Sequence, residues 1–243
     1  MSRTSGKKIM LWASPRNIST ALMYSFAQRS DTKVVDEPFY AYYLRHIAPD
    51  VKHPGKESIL ESLSSEMEEI VDSLKKEINQ SVLFVKNMTH HLMQTPIDFS
   101  FEWLHIILTR HPDNAYNSFK KVISNPTLND LGYKQQYELA MKLLSNNITY
   151  YLLSSEKLLQ SPSSELQKLC NYLEIPFYDA MLSWNKGPID EDGIWAQYWY
   201  KNVHNTEGFR PVIKSTPKHT AENKTIVLSR QYYHKLLSLK QEV

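Results

Sequence analysis

A chain of 243 residues, 42% hydrophobic and 22% charged, has enough apolar surface for one folded α/β domain and gives no case for disorder. A formal charge of +2 is too slight for a dedicated nucleic-acid binder, whose contact face is heavily basic, but it leaves room for a local anion pocket. The single cysteine, Cys170, excludes an intrachain disulfide and a multi-cysteine zinc site.

Residues 9–13 (Ile-Met-Leu-Trp-Ala) form a short continuous apolar run, the pattern of a strand buried on both faces. The run is too short for a signal peptide. No window holds the ~18 apolar residues of a spanning helix. A cytoplasmic protein without membrane contact is therefore expected. The loop 14–20 (Ser-Pro-Arg-Asn-Ile-Ser-Thr) follows, then a helix with Leu22, Met23 and Phe26 on its apolar side. A second strand over 32–35 ends at Asp36-Glu37-Pro38. Ile59, Leu63, Met67, Ile70, Val71, Leu74 and Ile78 recur at three or four and predict one amphipathic helix over 57–79. Further strands are expected over 82–85, 104–108 and 148–153, and helices over 114–123, 134–145, 163–173 and 229–239. Pro162 is well placed to start a helix. Cys170 falls in the apolar row of Leu166, Leu169 and Leu173, so it reads as a small core residue. The segment 184–217 has no clean period and is rich in Trp, Tyr, Gly and Pro, as in a long ordered loop or lid.

Short apolar strands alternating with amphipathic helices predict an α/β fold of three layers. It is of the P-loop NTPase type, with a central parallel sheet of about five strands flanked by helices. No repeat or linker divides the chain, so 1–243 reads as one domain. Ligands in such sheets bind beyond the carboxyl ends of the strands. The loop 14–20 lies at that end of the first strand and opens a helix, whose first N–H groups are unpaired and carry positive partial charge. Arg16, Ser19 and Thr20 add donors suited to phosphate or sulfate. The loop lacks the glycines and the Lys-Ser/Thr pair of a Walker A motif, which tells against a generic ATPase or GTPase. A second anion contact is expected where Arg110 ends the fourth strand, with Ser118 brought back beside its guanidinium by the helix that follows. A plain helix start and an Arg110–carboxylate pair are the structural alternatives.

The two segments Ser14-Pro-Arg-Asn-Ile-Ser-Thr20 and Arg110-His-Pro with Ser118 resemble the nucleotide-binding motifs of the P-loop sulfotransferases. More closely, the chain resembles the sulfotransferase-like domain of the branched-chain aminotransferase-like proteins. Trp12-Ala-Ser-Pro-Arg16, Asp36-Glu-Pro38 and Gly187-Pro-Ile-Asp-Glu-Asp-Gly193 carry that likeness across nearly the whole length. The resemblance implies sulfuryl transfer from 3′-phosphoadenosine 5′-phosphosulfate to a hydroxyl or amine of a small acceptor, with no metal required. It implies that Ser14, Pro15, Arg16, Asn17, Ile18, Ser19 and Thr20 hold the 5′-phosphosulfate, and that Arg110 and Ser118 hold the 3′-phosphate. The chain departs from the cytosolic sulfotransferases in having Arg16 in place of the usual loop lysine and in lacking their C-terminal Arg-Lys-Gly element.

Lys86-Asn-Met-Thr-His90-His91 follows the third strand and so reaches the same end of the sheet. The resemblance places the catalytic histidine in this region, with His91 first and His90 second. An unperturbed imidazole, near pH ~6.5, suits a base at neutral pH. Lys86 and Arg16 are expected to stabilise charge on the leaving phosphate. Asp36 and Glu37 are the other base candidates. The lid aromatics Trp195, Tyr198, Trp199 and Tyr200 are expected to wall the adenine or acceptor pocket, or else to belong to the core. A small-molecule kinase and a non-catalytic nucleotide-binding module are the competing functions.

Overall fold

The computed structural model describes residues 6–76, 78–93, 95–210 and 223–239. Its centre is a parallel sheet of five strands: β1 (Lys7–Ala13), β2 (Thr32–Asp36), β3 (Val82–Met88), β4 (Leu104–Thr109) and β5 (Tyr150–Ser154). The order is β2-β3-β1-β4-β5, with every ladder parallel. All five predicted strands are present, each within two residues of its expected start. Their apolar runs are continuous because helices cover both faces.

Alternation along the strands sorts side chains into two cores. Ile9, Leu11, Val34, Phe84 and Ile106 face one side, against the helices Ser19–Ala27 and Pro162–Tyr172. Phe26 stacks on Phe84 there, ring centroids 4.0 Å apart. Met10, Val85 and Ile107 face the other side, against the helices Met67–Lys75, Tyr133–Ser145 and Lys224–Ser238. Each such side chain contributes about 1.5–3 kcal/mol through burial. Cys170 is fully buried as expected, and burial pushes its thiol up to about 11.

One helix is corrected. The predicted 57–79 helix is two, Lys56–Ser62 and Met67–Lys75, with Leu63 in extended conformation between them. Ser64 Oγ accepts from the Glu66 amide at 3.1 Å and donates to Glu69 at 2.6 Å. Such side-chain bonds compete with the helix ladder and end it. Sequence periodicity also passes over a short π-helical turn, Tyr43–Ile47, which runs on from the helix Tyr40–Tyr42.

The predicted lid is largely a packed wall. Trp184, Trp195 and Tyr200 are buried, and the segment carries two short helices, Ala196–Trp199 and Lys201–His204. It is tied to the first helix by Tyr24, whose hydroxyl donates to Asp192 at 2.6 Å. Residues 211–217 of the expected lid lie outside the described residues. No helix among the described residues is long and apolar enough to cross a membrane.

Candidate functional site

With β1 at the centre of the order β2-β3-β1-β4-β5, successive connections leave it on opposite sides. The carboxyl ends of β1, β3 and β4 therefore frame a crevice. A cavity of about 430 Å³ opens there.

The loop after β1 is held in an unusual backbone. Arg16 and Ile18 are left-handed, with φ of 64° and 67°. For side-chain-bearing residues that costs roughly 1–2 kcal/mol each. Three bonds impose it. Arg110 Nη1 donates to the Arg16 carbonyl at 2.6 Å, Asn17 Nδ2 donates to the Leu108 carbonyl at 2.6 Å, and Ser155 Oγ donates to the Asn17 carbonyl at 2.7 Å. The result is that Ser19–Ala27 begins at Ile18 with no side-chain cap, so its first amides are left for a ligand. Pro15, Arg16, Ile18, Ser19 and Thr20 line the cavity.

Ser14 and Asn17, expected among the ligand-holding residues, are not in the cavity lining. Asn17 is a brace between strands. Ser14 is buried behind the loop, beside Gly132. Gly132 has φ of 71°, and a Cβ there would sit 3.0 Å from Ser14 Oγ. A glycine is needed for the short helix Leu128–Leu131 to pass so close. That helix escaped the period search, although its capping box, Thr127 with Asp130, is a sequence signal.

Ser118 also departs from expectation in its partner. Its hydroxyl accepts from Arg16 Nε at 3.1 Å, rather than from Arg110. The helix Pro112–Phe119 starts within two residues of its expected place and carries Ser118 in its second turn. Arg110 has Glu156 at 3.9 Å from Nε. The two expected anion contacts are thus one cluster of Arg16, Arg110 and Ser118. Burial, and then the neighbouring Arg110 charge, lower the pKa of Arg16. Two half-buried guanidiniums side by side make a strongly anion-attracting point.

The β2 and β3 ends look different. Asp36 and Lys86 occupy the same register on adjacent strands, so their side chains meet on one face. Lys86 Nζ donates to Asp36 at 2.8 Å, to Glu37 at 2.5 Å and lies 2.6 Å from the Tyr200 hydroxyl. Its three donors are filled, and it is fully buried. Lys86, expected to meet the leaving phosphate, lines the cavity but has its ammonium committed to these three groups. Burial alone would strip its proton, but the two carboxylates more than offset this and hold its pKa above the ordinary value.

Glu37 has φ of 39° and lines the cavity with its Oε2 3.9 Å from His91 Nε2. Burial raises its carboxyl, against the pull of Lys86. His91 is stacked 4.7 Å from Tyr40 and 4.8 Å from Tyr43. Burial, then the His90 charge, hold His91 well below the usual imidazole value, and burial takes His90 to about 4. Neither titrates near neutrality as the unperturbed residue would. Their Nδ1 atoms are buried with no hydrogen-bond partner among the described residues. Of the lid aromatics, Trp199 and Tyr200 reach the cavity, Trp195 is core and Tyr198 is 44% exposed. Tyr40 and Tyr43 went unnoticed in sequence, and their spacing of three residues is the only signal there. No group of three or more His, Cys, Asp or Glu among the described residues is arranged to hold a metal.

The chain is 37% identical over 209 residues, 85% of its length, to branched-chain-amino-acid aminotransferase-like protein 1 of Arabidopsis thaliana, and 36% identical to protein 2 of that name. It spans 36% of the length of each. In fold it matches the sulfotransferase domain of the Synechococcus PCC 7002 olefin synthase, with a TM-score of 0.61 at 17% identity, covering 96% of this chain and 97% of that one. The sulfotransferase domain of the curacin biosynthetic pathway gives 0.57 at 16% identity, covering 96% and 99%. The sulfotransferase domain model itself matches residues 7–234. A match that runs from the first strand into the last helix takes in both guanidiniums and the Lys86 cluster alike, and this chain belongs to the sulfotransferase domain family.

Proposed function

We propose that the protein transfers a sulfuryl group from 3′-phosphoadenosine 5′-phosphosulfate to a small acceptor. The observation that carries this reading is the pairing of Arg16 and Arg110 beside an uncapped helix start. The fit is chemical: two forked cations, the Ser19 and Thr20 hydroxyls and free amides suit a ligand with separate phosphate groups. Arg16 stands at the β1 loop to neutralise the 5′ group. Arg110, the residue after β4, faces the 3′-phosphate.

The acceptor then enters from the β2 and β3 side. As its oxygen forms the new bond to sulfur, the bond from sulfur to the bridging phosphate oxygen breaks. The electron pair stays on that oxygen, within the Arg16 field, and the acceptor proton passes to protein. Glu37 Oε2 is the better proton acceptor. It lines the cavity and burial raises its carboxyl, whereas burial holds His91 well below the usual imidazole value, and a base works best near the operating pH. His91, against that oxygen, orients the acceptor hydroxyl.

A thermal-shift series tests the donor assignment. Adenosine 3′,5′-bisphosphate stabilises the fold by about 2.7 kcal/mol at a hundredfold excess over its dissociation constant, and AMP far less. An equal shift with AMP removes the 3′-phosphate contact. ATP with magnesium as the strongest stabiliser turns the reading to a kinase.

A further inference from the structure

Three groups of the packed wall, all within 193–200, converge on the end of β2. The Gly193 amide donates to Asp36 Oδ2 at 3.2 Å. The Trp195 indole Nε1–H donates to the Tyr200 oxygen at 3.1 Å, and Lys86 donates to that oxygen at 2.6 Å. A phenol oxygen that accepts two bonds has one hydrogen left to give. Burial, and then the charges of Asp36 and Glu37, raise Tyr200 well above its ordinary value, so that hydrogen stays in place. Its nearest acceptor is Asp36 Oδ2 at 2.7 Å, with Glu37 Oε1 at 3.4 Å.

The Tyr200 hydroxyl therefore has a fixed direction, and it decides how Lys86 is shared. Asp36 Oδ2 is met by the wall, which leaves Oδ1 to Lys86 at 2.8 Å. Lys86 in turn holds Glu37 Oε1 at 2.5 Å. Glu37 Oε2 is then the oxygen turned towards His91, 3.9 Å from its Nε2. The titratable groups facing the Glu37 carboxyl are Asp36 beside it in sequence, Lys86 and His91 from the β3 side, Tyr40 from the helix Tyr40–Tyr42, and Tyr200. Burial, above all, raises that carboxyl. The Lys86 ammonium pulls it down, the Asp36 charge raises it, and the Tyr200 hydroxyl pulls it down. Of these groups, Tyr200 is the one carried by the wall.

We infer that Tyr200 is a positioning residue: through its bonds to Asp36 and Lys86 it fixes which Glu37 oxygen faces the cavity and how readily that oxygen takes a proton. The inference rests on the proposed function only for naming Glu37 as the base. Without the hydroxyl, Asp36 loses a donor and draws Lys86 towards itself, and the ammonium holds Glu37 less. The carboxyl then keeps its proton to higher pH. Packing alone predicts no such change, since the Tyr200 ring fills the same space with or without its oxygen.

The test is an NMR titration of the Glu37 carboxyl carbon in the full chain made with isotope-labelled glutamate, the signal assigned by its loss in Glu37→Gln. Tyr200→Phe keeps the ring and removes the hydroxyl. Its Glu37 titration is expected at higher pH, with proton binding roughly tenfold tighter than in the parent. A meta-fluorinated tyrosine in place of Tyr200 keeps the same contacts and makes the hydroxyl a stronger donor, so the titration moves to lower pH. That second protein decides the matter if Tyr200→Phe does not fold. An unmoved Glu37 titration, or a shift of the same sign in both, overturns the inference and leaves Tyr200 a packing residue. If the titration responds and Glu37→Gln transfers sulfate as the parent does, the base assignment falls and the coupling stands. If the titration does not respond and Glu37→Gln loses transfer, this inference falls alone.

Discussion

Lys86 and Arg110 are both cations at the carboxyl edge of one sheet, two strands apart, and their surroundings are opposite. Lys86 is sealed between Asp36, Glu37 and Tyr200, with every donor filled. Arg110 braces one carbonyl, has Glu156 only at 3.9 Å, and keeps part of its side chain exposed beside a second guanidinium. The contrast teaches that position at the ligand-binding edge does not make a cation a ligand contact. A cation whose charge is met inside the protein holds the architecture, while one left next to a like charge is available to an anion.

The comparison breaks most sharply at Lys86. Replacing it with alanine leaves two buried carboxylates without a counter-charge, and about 3–5 kcal/mol of stability should be lost. Urea denaturation of the nucleotide-free protein measures it. A variant as stable as the parent shows that the carboxylates take up protons at little cost.

The next effect is on turnover. Glu37→Gln keeps the shape and a hydrogen bond but removes the proton acceptor, and sulfate transfer should fall by roughly 10²–10⁴-fold. Nucleotide affinity stays near that of the parent. His91→Ala should cost less in turnover and more in acceptor KM. If the two outcomes are exchanged, the base is the imidazole.

Arg110→Ala sharpens the other half of the comparison. It removes a charge-assisted contact of about 1.5–3 kcal/mol to the nucleotide and changes the melting of the free protein little. Retained affinity with a large loss of stability would make Arg110 a brace for the 14–20 loop and nothing more.

The last effect is gradual and depends on pH. His90 and His105 each have their pKa lowered to about 4 by burial, against about 6.5 in the unfolded chain. Between these values the unfolded state binds more protons. Stability is therefore fully present above about pH 6.5 and is lost as pH falls towards 4, by at most ~1.4 kcal/mol per pH unit for each histidine. His105→Gln should flatten the slope, since a glutamine carbonyl can accept the Trp12 Nε1–H bond that His105 Nδ1 takes at 2.9 Å. An unchanged slope would place the titration elsewhere.

The fold was legible in the sequence because its strands are buried on both faces and its helices on one. Hydrophobicity then carries the period directly, as at 9–13 and in the Leu166, Leu169, Cys170, Leu173 row. The break after Ser62 was not legible, because the Ser64 hydroxyl stops a helix whose apolar spacing continues unbroken. The loop 14–20 was legible as a candidate site from its place after β1 and from Arg16. Its left-handed residues were not, since φ above zero at an isoleucine is imposed by distant partners, here Arg110, the Leu108 carbonyl and Ser155.

What the sequence determined by itself, then, is the sheet, the two cores and which residue types collect at the carboxyl edge, because these follow from periodicity along a single strand or helix. What only the tertiary structure decided is the state of each charged group there. Lys86 is silenced by Asp36 through strand register, by Glu37 through a left-handed turn and by Tyr200 from 114 residues away. Arg16 and Ser118 meet across 102 residues. Burial and neighbouring charge fix whether a lysine, an arginine or a histidine is free to act, and both are set by contacts between segments that no local pattern joins.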